Sequence, residues 1–421
     1  MRVLMFGWEF PPHTVGGLGN VTYNLTNALI ELGMQLTLFL PVKTKSKNFR
    51  IVSANLSVNC IETVLMPYMN EASFRLAIKN LEDEYGQLYA GKGKNKKSFV
   101  INQLFIDKGY CQMYGGNLFE EVELFAQKCR PLIEKENFDV IHCHDWLTFR
   151  AGIVAKEISG KPLILHVHTT ELDRSCGGRN QRAYDIEKEC FEKADKIIAV
   201  SHYTKNKIVE GYGIDPNKID VVHNAIQFNG QRLIKNGKKR KVVLYLGRLS
   251  LHKGPDYFIR AARKVLEYEP DALFVVAGGG ELLPELINLA CGLGIANKVL
   301  FTGKISDDDV NKIYEAADVY VMPSVSEPFG LTALEAASHG TPIIISKNSG
   351  AKEVLKHCLE VDFWDIEEMA NKIVSILRYP QLSSEMTLNS YKELDRISWR
   401  KQAEEVIKVY NKVVPPEIAN A

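Results

Sequence analysis

Short apolar runs rich in β-branched residues alternate with longer amphipathic stretches along nearly the whole chain, and this alternation restricts the fold more than any other feature. It is typical of βαβ units, in which helices connect the strands of a parallel sheet. The predicted strands are residues 2–7, 35–40, 99–106, 140–143, 163–168, 196–200 and 219–222, then 242–246, 272–277, 299–302, 319–322 and 343–346. The sequence therefore predicts an α/β protein with doubly wound parallel sheets.

The chain divides into two predicted domains. Its 421 residues exceed the roughly 250 to 300 that a single hydrophobic core organises well. Residues 228–240 are polar, basic and glycine-containing without apolar periodicity, which is typical of a linker. We expect Rossmann-like domains at 1–227 and 241–397. Residues 398–413 carry apolar side chains at helical spacing, so this last helix should pack on one of the two domains.

Charge and hydropathy exclude several classes of protein. Lys and Arg number 52 against 51 Asp and Glu, so bulk charge gives no reason to expect nucleic acid as a partner. The first apolar run ends early at Glu9 and two prolines, unlike a signal peptide, and no run approaches the roughly 18 apolar residues that cross a bilayer. We expect a cytoplasmic protein whose scattered cysteines are reduced. The basic run at 92–97 favours a solvated loop over peripheral membrane contact.

A glycine-rich turn, Gly16-Gly17-Leu18-Gly19, follows the first predicted strand and opens the first predicted helix. Backbone N–H groups at such a helix start can bind an anionic or polyhydroxylated ligand, and the small residues let that ligand come close. The alternative is a tight βα turn that needs small residues for packing alone. The G-G-x-G spacing argues against a dinucleotide fingerprint, which has the spacing G-x-G-x-x-G.

Polar side chains close two neighbouring predicted strands: His142, His144 and Asp145 end one strand, and His168 ends the next. Ligands of open α/β sheets bind beyond the carboxyl ends of the strands, so these side chains are expected to line a cleft. A lone histidine is more often a hydrogen-bonded core residue, but two successive strand ends of this kind favour a ligand site. No third metal ligand at a fitting spacing accompanies His142 and His144, so no metal is expected.

Two cations follow a strand end in the second domain. The dipeptide Leu246-Gly247 is followed by Arg248 and Lys253, five residues apart. One cation at a strand end and another at the start of the next helix can hold a diphosphate from two directions. The alternative is ordinary surface charge.

The segment EPFGLTALE, from Glu327 to Glu335, is the most specific pattern in the chain. Glu327 precedes a predicted helix and Glu335 lies about two turns along it, on nearly the same face, so both carboxylates can bind one ligand. Gly330 and Leu331 would present free N–H groups at the helix start, where a phosphate is stabilised. Because a carboxylate is costly to bury alone, the hydroxyls of a sugar or ribose are suitable partners for Glu335.

These motifs resemble those of the retaining glycosyltransferases of the GT-B fold, families 4 and 5, which include the glycogen and starch synthases. The resemblance covers nearly the whole chain and rests on Gly16-Gly17-Leu18, His144-Asp145-Trp146, His168, Arg248, Lys253, Glu327 and Glu335. It implies two Rossmann-like domains that face a central cleft. It also implies that the terminal helix crosses back onto the first domain.

The resemblance further implies residue roles. Glu327 would hold the transferred hexose, Glu335 the ribose, and Arg248 with Lys253 the departing diphosphate. The implied catalytic residues are His168, Arg248, Lys253 and Glu327. The implied donor-binding residues are Gly17, Gly247, Arg248, Lys253, Gly279, Lys304, Glu327, Phe329, Gly330, Leu331 and Glu335. The implied acceptor-side residues are Gly16, Gly17, Leu18, His144 and Asp145. Gly279 and Lys304 would lie near the base. No metal and no cofactor is implied, because the nucleotide-sugar is a substrate.

The implied reaction transfers a hexose, with glucose favoured, from an ADP- or UDP-linked donor to an α-glucan. Thr14 stands where the synthases have a lysine, which leaves ADP-glucose specificity open, and His223-Asn224-Ala225 replaces the usual Asn-Gly turn between domains. Alternatives are a lipid, small-molecule or cell-envelope acceptor, a sugar-nucleotide epimerase or phosphorylase, and a non-catalytic carbohydrate-binding protein. The intact charged set at 248, 253, 327 and 335 argues against a degenerate binding protein.

Overall fold

The computed structural model describes residues 1–13, 16–46, 48–54, 56, 118–175, 177–228, 240–305 and 307–419. The predicted strand at 99–106, the basic run at 92–97, Thr14 and nearly all of the predicted linker lie outside these ranges. Within them the chain forms two parallel β-sheets connected by helices, so the predicted α/β class is confirmed. No helix in the described part of the chain is long and apolar enough to cross a membrane.

The first sheet has seven parallel strands in the order β3-β2-β1-β4-β5-β6-β7. Their bounds are β1 Arg2–Phe6, β2 Gln35–Leu40, β3 Arg50–Ser53, β4 Val140–His144, β5 Leu163–Val167, β6 Lys196–Ala199 and β7 Ile219–Val221. The helices between them are α1 Gly17–Glu31, α2 Leu118–Ile133, α3 Trp146–Ser159, α4 Glu171–Arg174, α5 Gln181–Lys193 and α6 His202–Tyr212, with a 3-10 turn at Pro216–Lys218. Leu4 and Phe6 face one core while Val3 and Met5 face another, so both faces of the sheet are covered.

The second sheet has six parallel strands in the order β10-β9-β8-β11-β12-β13. Their bounds are β8 Val242–Leu246, β9 Leu273–Ala277, β10 Val299–Gly303, β11 Val319–Met322, β12 Ile343–Ser346 and β13 Leu359–Val361. The helices are α7 Pro255–Tyr268, α8 Leu283–Gly292, α9 Asp307–Ala316, α10 Leu331–Ser338, α11 Ile366–Arg378 and α12 Pro380–Leu394, with 3-10 turns at Leu251–Lys253, Ala296–Lys298 and Gly350–Glu353. Two cores again cover the two faces.

Each sheet has one place where the strand order reverses. In the first sheet β1 lies between β2 and β4, and in the second β8 lies between β9 and β11. Open α/β sheets bind ligands beyond the carboxyl ends of the strands at such a reversal. The glycine turn follows β1, the His-Asp pair lies at the end of β4, the two cations follow β8, and Glu327 follows β11.

The chain ends on the first domain after completing the second sheet. Helix α13 (Trp399–Asn411) buries Ala403, Val406 and Tyr410 in the same core as Met5 and Leu25 of the first domain, and α14 (Pro416–Ala419) follows it. The apolar spacing of the terminal helix is explained by this contact.

Candidate functional site

The loops after β8 and β9 pack backbone against backbone. A Cβ on Gly278, whose φ is +134°, would lie 1.9 Å from the carbonyl oxygen of Gly247, and a Cβ on Gly280 would lie 2.1 Å from that of Leu249. Only glycine fits at these two positions. Gly279 has open space around it and is held beside the end of β8, where Leu249 N donates to its carbonyl oxygen. Sequence reasoning singled out Gly279 alone, although three consecutive glycines signal close backbone packing.

Lys253 and Glu327 form an ion pair between the loops that follow β8 and β11. The distance from Lys253 Nζ to Glu327 Oε2 is 2.6 Å, and Ser324 Oγ donates to the same oxygen over 3.1 Å. Glu327 is buried, and a bridge to Ser349 fixes its backbone beside the end of β12. The lysine predicted to bind the diphosphate and the glutamate predicted to bind the hexose are therefore direct neighbours.

A glycine brings Lys253 to this position. The 3-10 turn that carries the lysine ends at Gly254, whose φ is +62°. A Cβ on Gly254 would lie 2.2 Å from the carbonyl oxygen of Pro323, so the turn touches the loop after β11 directly. Any larger residue would push the two loops, and with them Lys253 and Glu327, apart.

His252 joins the same two loops and was not predicted from the sequence. Its carbonyl oxygen accepts hydrogen bonds from Val325 N at 2.9 Å and Ser326 N at 3.3 Å. Burial, together with the charges of Lys253 and Arg248, lowers the pKa of its imidazole to about 3. The ring is therefore neutral at physiological pH, and Arg248 and Lys253 supply the positive charge here.

The start of helix α10 faces the first domain. Gly330 precedes the helix with φ +96°, and no side chain in the described part of the chain caps it. The Leu331 Cδ1 atom lies 3.2 Å from the point that a Cβ on Gly17 would occupy. The glycine turn of the first domain and the predicted phosphate-binding helix of the second therefore meet across the cleft.

Glu335 lies inside α10 and is partly exposed, not fully buried as its neighbours in sequence indicated. Tyr314 Oη donates to Glu335 Oε2 over 3.0 Å, and the Tyr314 side chain is itself fully buried. The ring of His339 stacks on that of Tyr314. This contact fixes the direction of the Glu335 carboxylate.

The remaining predicted donor residues take different places. Lys304 follows β10 and is exposed. Gly278 N donates to the carbonyl oxygen of the preceding residue, Gly303, over 2.9 Å, so Lys304 lies beside the glycine run at 278–280. Phe329 is buried, with its ring 5.9 Å from that of His223. Its side chain thus packs between the domains, and its carbonyl oxygen accepts from Ser349 Oγ at 3.5 Å.

In the first domain, the residues at the ends of β4 and β5 contact each other. Asp145 Oδ1 accepts hydrogen bonds from His168 N at 2.7 Å and Thr169 N at 3.3 Å. His144 Nδ1 lies 2.9 Å from His168 Nε2. His168 Nδ1 is buried without a hydrogen-bond partner among the described residues, so the ring can accept or donate one more bond. The structure therefore brings His144, Asp145 and His168 together as one unit.

Four histidine rings, His142, His144, His166 and His168, stack at these strand ends, and burial lowers the pKa of each. The expectation that no third imidazole accompanies His142 and His144 is wrong, because the register of β4 and β5 pairs His144 with His166. One ring nitrogen from each of His142, His144 and His166 lies within 4.8 Å of the other two. Two of the ring nitrogens contact each other, since His142 Nε2 lies 3.2 Å from His166 Nδ1.

We expect Asp145 to make stability depend on pH. Burial raises the pKa of its carboxyl from 3.8 to about 7, against the lowering effect of the His168 and Thr169 N–H groups. Between about pH 4 and pH 7 the folded protein keeps a proton on Asp145 that the unfolded chain releases. The free energy of unfolding therefore falls as pH rises, by at most about 1.4 kcal/mol per pH unit, and levels off above about pH 7.

Asp145→Asn removes this titration while keeping an acceptor oxygen for His168 N. Urea unfolding of both proteins from pH 5 to pH 8 should give a stability difference that grows in favour of the variant up to about pH 7. A difference independent of pH would contradict the assignment.

Two protein-family models match the chain: Glycosyltransferase Family 4 over residues 112–229 and Glycosyl transferases group 1 over residues 231–393. An uncharacterized glycosyltransferase of Methanocaldococcus jannaschii is 28% identical over 434 residues, which span 97% of this chain and 98% of the relative.

Solved structures of similar shape span almost the whole chain. Sucrose-phosphate synthase from Thermosynechococcus elongatus aligns with a TM-score of 0.73 at 18% identity and covers 98% of both chains. Anabaena HepE in complex with UDP and glucose aligns with a TM-score of 0.67 at 16% identity, over 97% of this chain and 99% of that one. At such identities the likeness establishes the shared two-domain fold.

Proposed function

Because the chain belongs to the group 1 glycosyltransferases and has their GT-B fold, we propose that it transfers a hexose from a nucleoside-diphosphate sugar to a hydroxyl acceptor with retention of configuration. The observation that carries this proposal is the Lys253–Glu327 pair at the strand reversal of the second sheet, next to the uncapped start of α10. The residue proposed to bind the diphosphate and the residue proposed to bind the hexose are adjacent there, as binding of a sugar nucleotide requires.

In the proposed reaction the acceptor hydroxyl approaches the anomeric carbon from the face that the diphosphate leaves. The bond from the anomeric carbon to the phosphate oxygen breaks, the bond to the acceptor oxygen forms, and the departing β-phosphate takes the acceptor's proton. Negative charge therefore grows on the β-phosphate. Arg248, Lys253 and the N–H groups at Gly330 and Leu331 can stabilise that charge from fixed positions.

The first domain would supply the acceptor side. Gly17 lies against Leu331, so an acceptor between the domains is next to the helix start that would hold the phosphate. His168, whose backbone is held by Asp145 and whose ring contacts His144, is proposed to contact the sugar. Gly16, Leu18 and the strand ends β4 and β5 would line the acceptor path.

Glucose and an α-glucan are the proposed sugar and acceptor, on the resemblance to the glycogen synthases. HepE was solved with UDP and glucose, which favours UDP-glucose as the first donor to test. The second candidate is transfer to a small phosphorylated acceptor, favoured by the likeness to a sucrose-phosphate synthase. The test is to measure release of nucleoside diphosphate from UDP- and ADP-linked glucose, mannose and N-acetylglucosamine, with glycogen or with sugar phosphates as the acceptor. The acceptor that supports release distinguishes the two candidate functions. If none of these donors releases nucleoside diphosphate, the proposed activity is wrong.

Transfer is expected to survive EDTA. The loops after β8 and β11 carry no Asp-x-Asp pair to bind a metal, and Arg248 and Lys253 supply the charge that a metal would otherwise provide at the phosphate. Initial rates are compared with and without chelator, and calcium-saturated chelator serves as the control for non-specific inhibition. If EDTA abolishes turnover and magnesium or manganese restores it, the two cations do not suffice.

A further inference from the structure

The loop that carries Glu327 is held by the first domain on both of its sides. On one side, Ser326 Oγ donates to Asp173 Oδ1 at 2.6 Å and accepts from Lys207 Nζ at 2.7 Å. On the other side, the Pro328 carbonyl oxygen accepts from Ser201 Oγ at 2.6 Å. Glu327 therefore lies between two residues whose positions are set across the domain boundary.

The contact at Ser326 leaves this side chain no freedom. Its hydroxyl has one proton and two lone pairs. The proton goes to Asp173, and the lone pairs face Lys207 Nζ and, at 3.0 Å, Tyr203 Oη. A hydroxyl with all its bonding capacity used in one geometry fixes the backbone that carries it, and Glu327 is the next residue.

The same Asp173 carboxylate also holds the strand end that carries His168. Its second oxygen accepts from Thr170 N and Thr170 Oγ1, both at 2.8 Å, in the capping box that starts α4. Thr170 is two residues after His168. Asp173 is almost fully buried, and although burial opposes ionisation, Lys207 and the Ser326 and Thr170 donors hold the pKa of its carboxyl below the usual value. One ionised carboxylate thus contacts the predicted acceptor side with one oxygen and the Glu327 loop with the other.

We propose that Asp173 is a positioning residue that couples His168 to Glu327 across the cleft, so that Glu327 reaches its working position only when Ser326 is bound to the first domain. This inference rests on the proposed function and deepens it. Catalytic groups must be held to within a fraction of an ångström, and misplacement by about 1 Å can cost about a hundredfold in rate. Glu335, which is proposed to hold the ribose, is positioned separately by its hydrogen bond from Tyr314.

Asp173→Asn, which removes the charge but keeps the side-chain shape, is expected to lower kcat about tenfold or more while the affinity for free UDP or ADP is unchanged. Ser326→Ala should give the same result without leaving a buried charge unpaired, since the Lys207–Asp173 ion pair at 2.7 Å remains. The double variant should be no worse than either single variant, because both remove one coupling. Melting temperatures identify any variant that loses activity by unfolding.

Glu353→Gln is the control, because Glu353 also binds the first domain but takes its hydrogen bonds from groups other than Ser326 and Asp173. Its carboxylate accepts from His202 N, Tyr203 N and His223 Nε2. Its kcat should stay within about threefold of the wild type. If the wild type is active, the coupling is contradicted by equal losses of kcat in Glu353→Gln and Asp173→Asn, or by additive losses in the double variant. It is also contradicted if Asp173→Asn and Ser326→Ala weaken nucleotide binding or leave kcat unchanged. None of these outcomes contradicts the proposed function. A wild type that transfers no sugar counts against both.

Discussion

Glu327→Gln is expected to lower kcat about a hundredfold or more while the dissociation constant of free nucleoside diphosphate stays nearly unchanged. Glu327 is assigned to the hexose, which gains positive charge as its bond to phosphate breaks. A carboxylate stabilises that charge and a neutral amide does not, so the loss falls on the transition state. The contacts from Lys253 and Ser324 hold the side chain in place, and glutamine can keep its shape there.

Glu335→Gln is the internal comparison and should behave in the opposite way. Glu335 is assigned to the ribose, which takes no part in the reaction, so its hydrogen bonds should be felt about equally in the ground and transition states. The variant should raise donor KM and weaken free nucleotide binding roughly tenfold, the effect of losing a hydrogen bond to a charged group. Tyr314 can still donate to the glutamine oxygen, so α10 should keep its structure.

Calorimetric titration of UDP and ADP into the two variants separates the roles. The assignment requires weaker nucleotide binding in Glu335→Gln only, together with a much larger fall of kcat in Glu327→Gln. Weaker nucleotide binding in Glu327→Gln alone would reverse the two glutamates. Equal effects of both substitutions on both quantities would mean that neither residue has a separate role.

Most strands could be predicted from the sequence because they are buried on both faces. Strands such as β11 and β12 are buried at every residue, and such strands consist of nearly continuous apolar runs. Each predicted strand in the described part of the chain ends within one residue of the observed one. The two strands that were missed, β3 and β13, are edge strands of four and three residues with exposed positions, so they lack a continuous apolar run.

The loops of the site could be predicted because they follow strand ends, whereas the contacts between them could not. Strand order brings His166 beside His144 and Lys253 beside Glu327, whereas packing of the two domains brings Ser326 beside Asp173. These partners are separated by 22 to 153 positions in sequence, and no local spacing encodes their approach. The three glycines at 278–280 are an exception, since such a run does signal close packing of two loops.

Lys253→Met is expected to lower kcat about a hundredfold and, unlike Glu327→Gln, to weaken binding of free nucleoside diphosphate. Methionine keeps the unbranched apolar stem but removes the ammonium that is proposed to face the β-phosphate. A cation on the leaving phosphate acts in the ground state and more strongly in the transition state, so both quantities should change. Lys264→Met is the control, because Lys264 lies in α7 of the same domain and pairs with Glu367 at an exposed site.

Stability measurements show whether lost activity reflects lost chemistry or a damaged loop. Lys253→Met leaves the buried Glu327 carboxylate without its cation, which should cost roughly 1 to 3 kcal/mol of stability. The double variant Lys253→Met/Glu327→Gln removes the unpaired charge and should recover most of that stability, yet it should remain inactive because it lacks both the phosphate cation and the hexose ligand. Recovery of activity together with stability would mean that Lys253 serves only to neutralise Glu327, and the proposed contact between Lys253 and the phosphate would then be wrong.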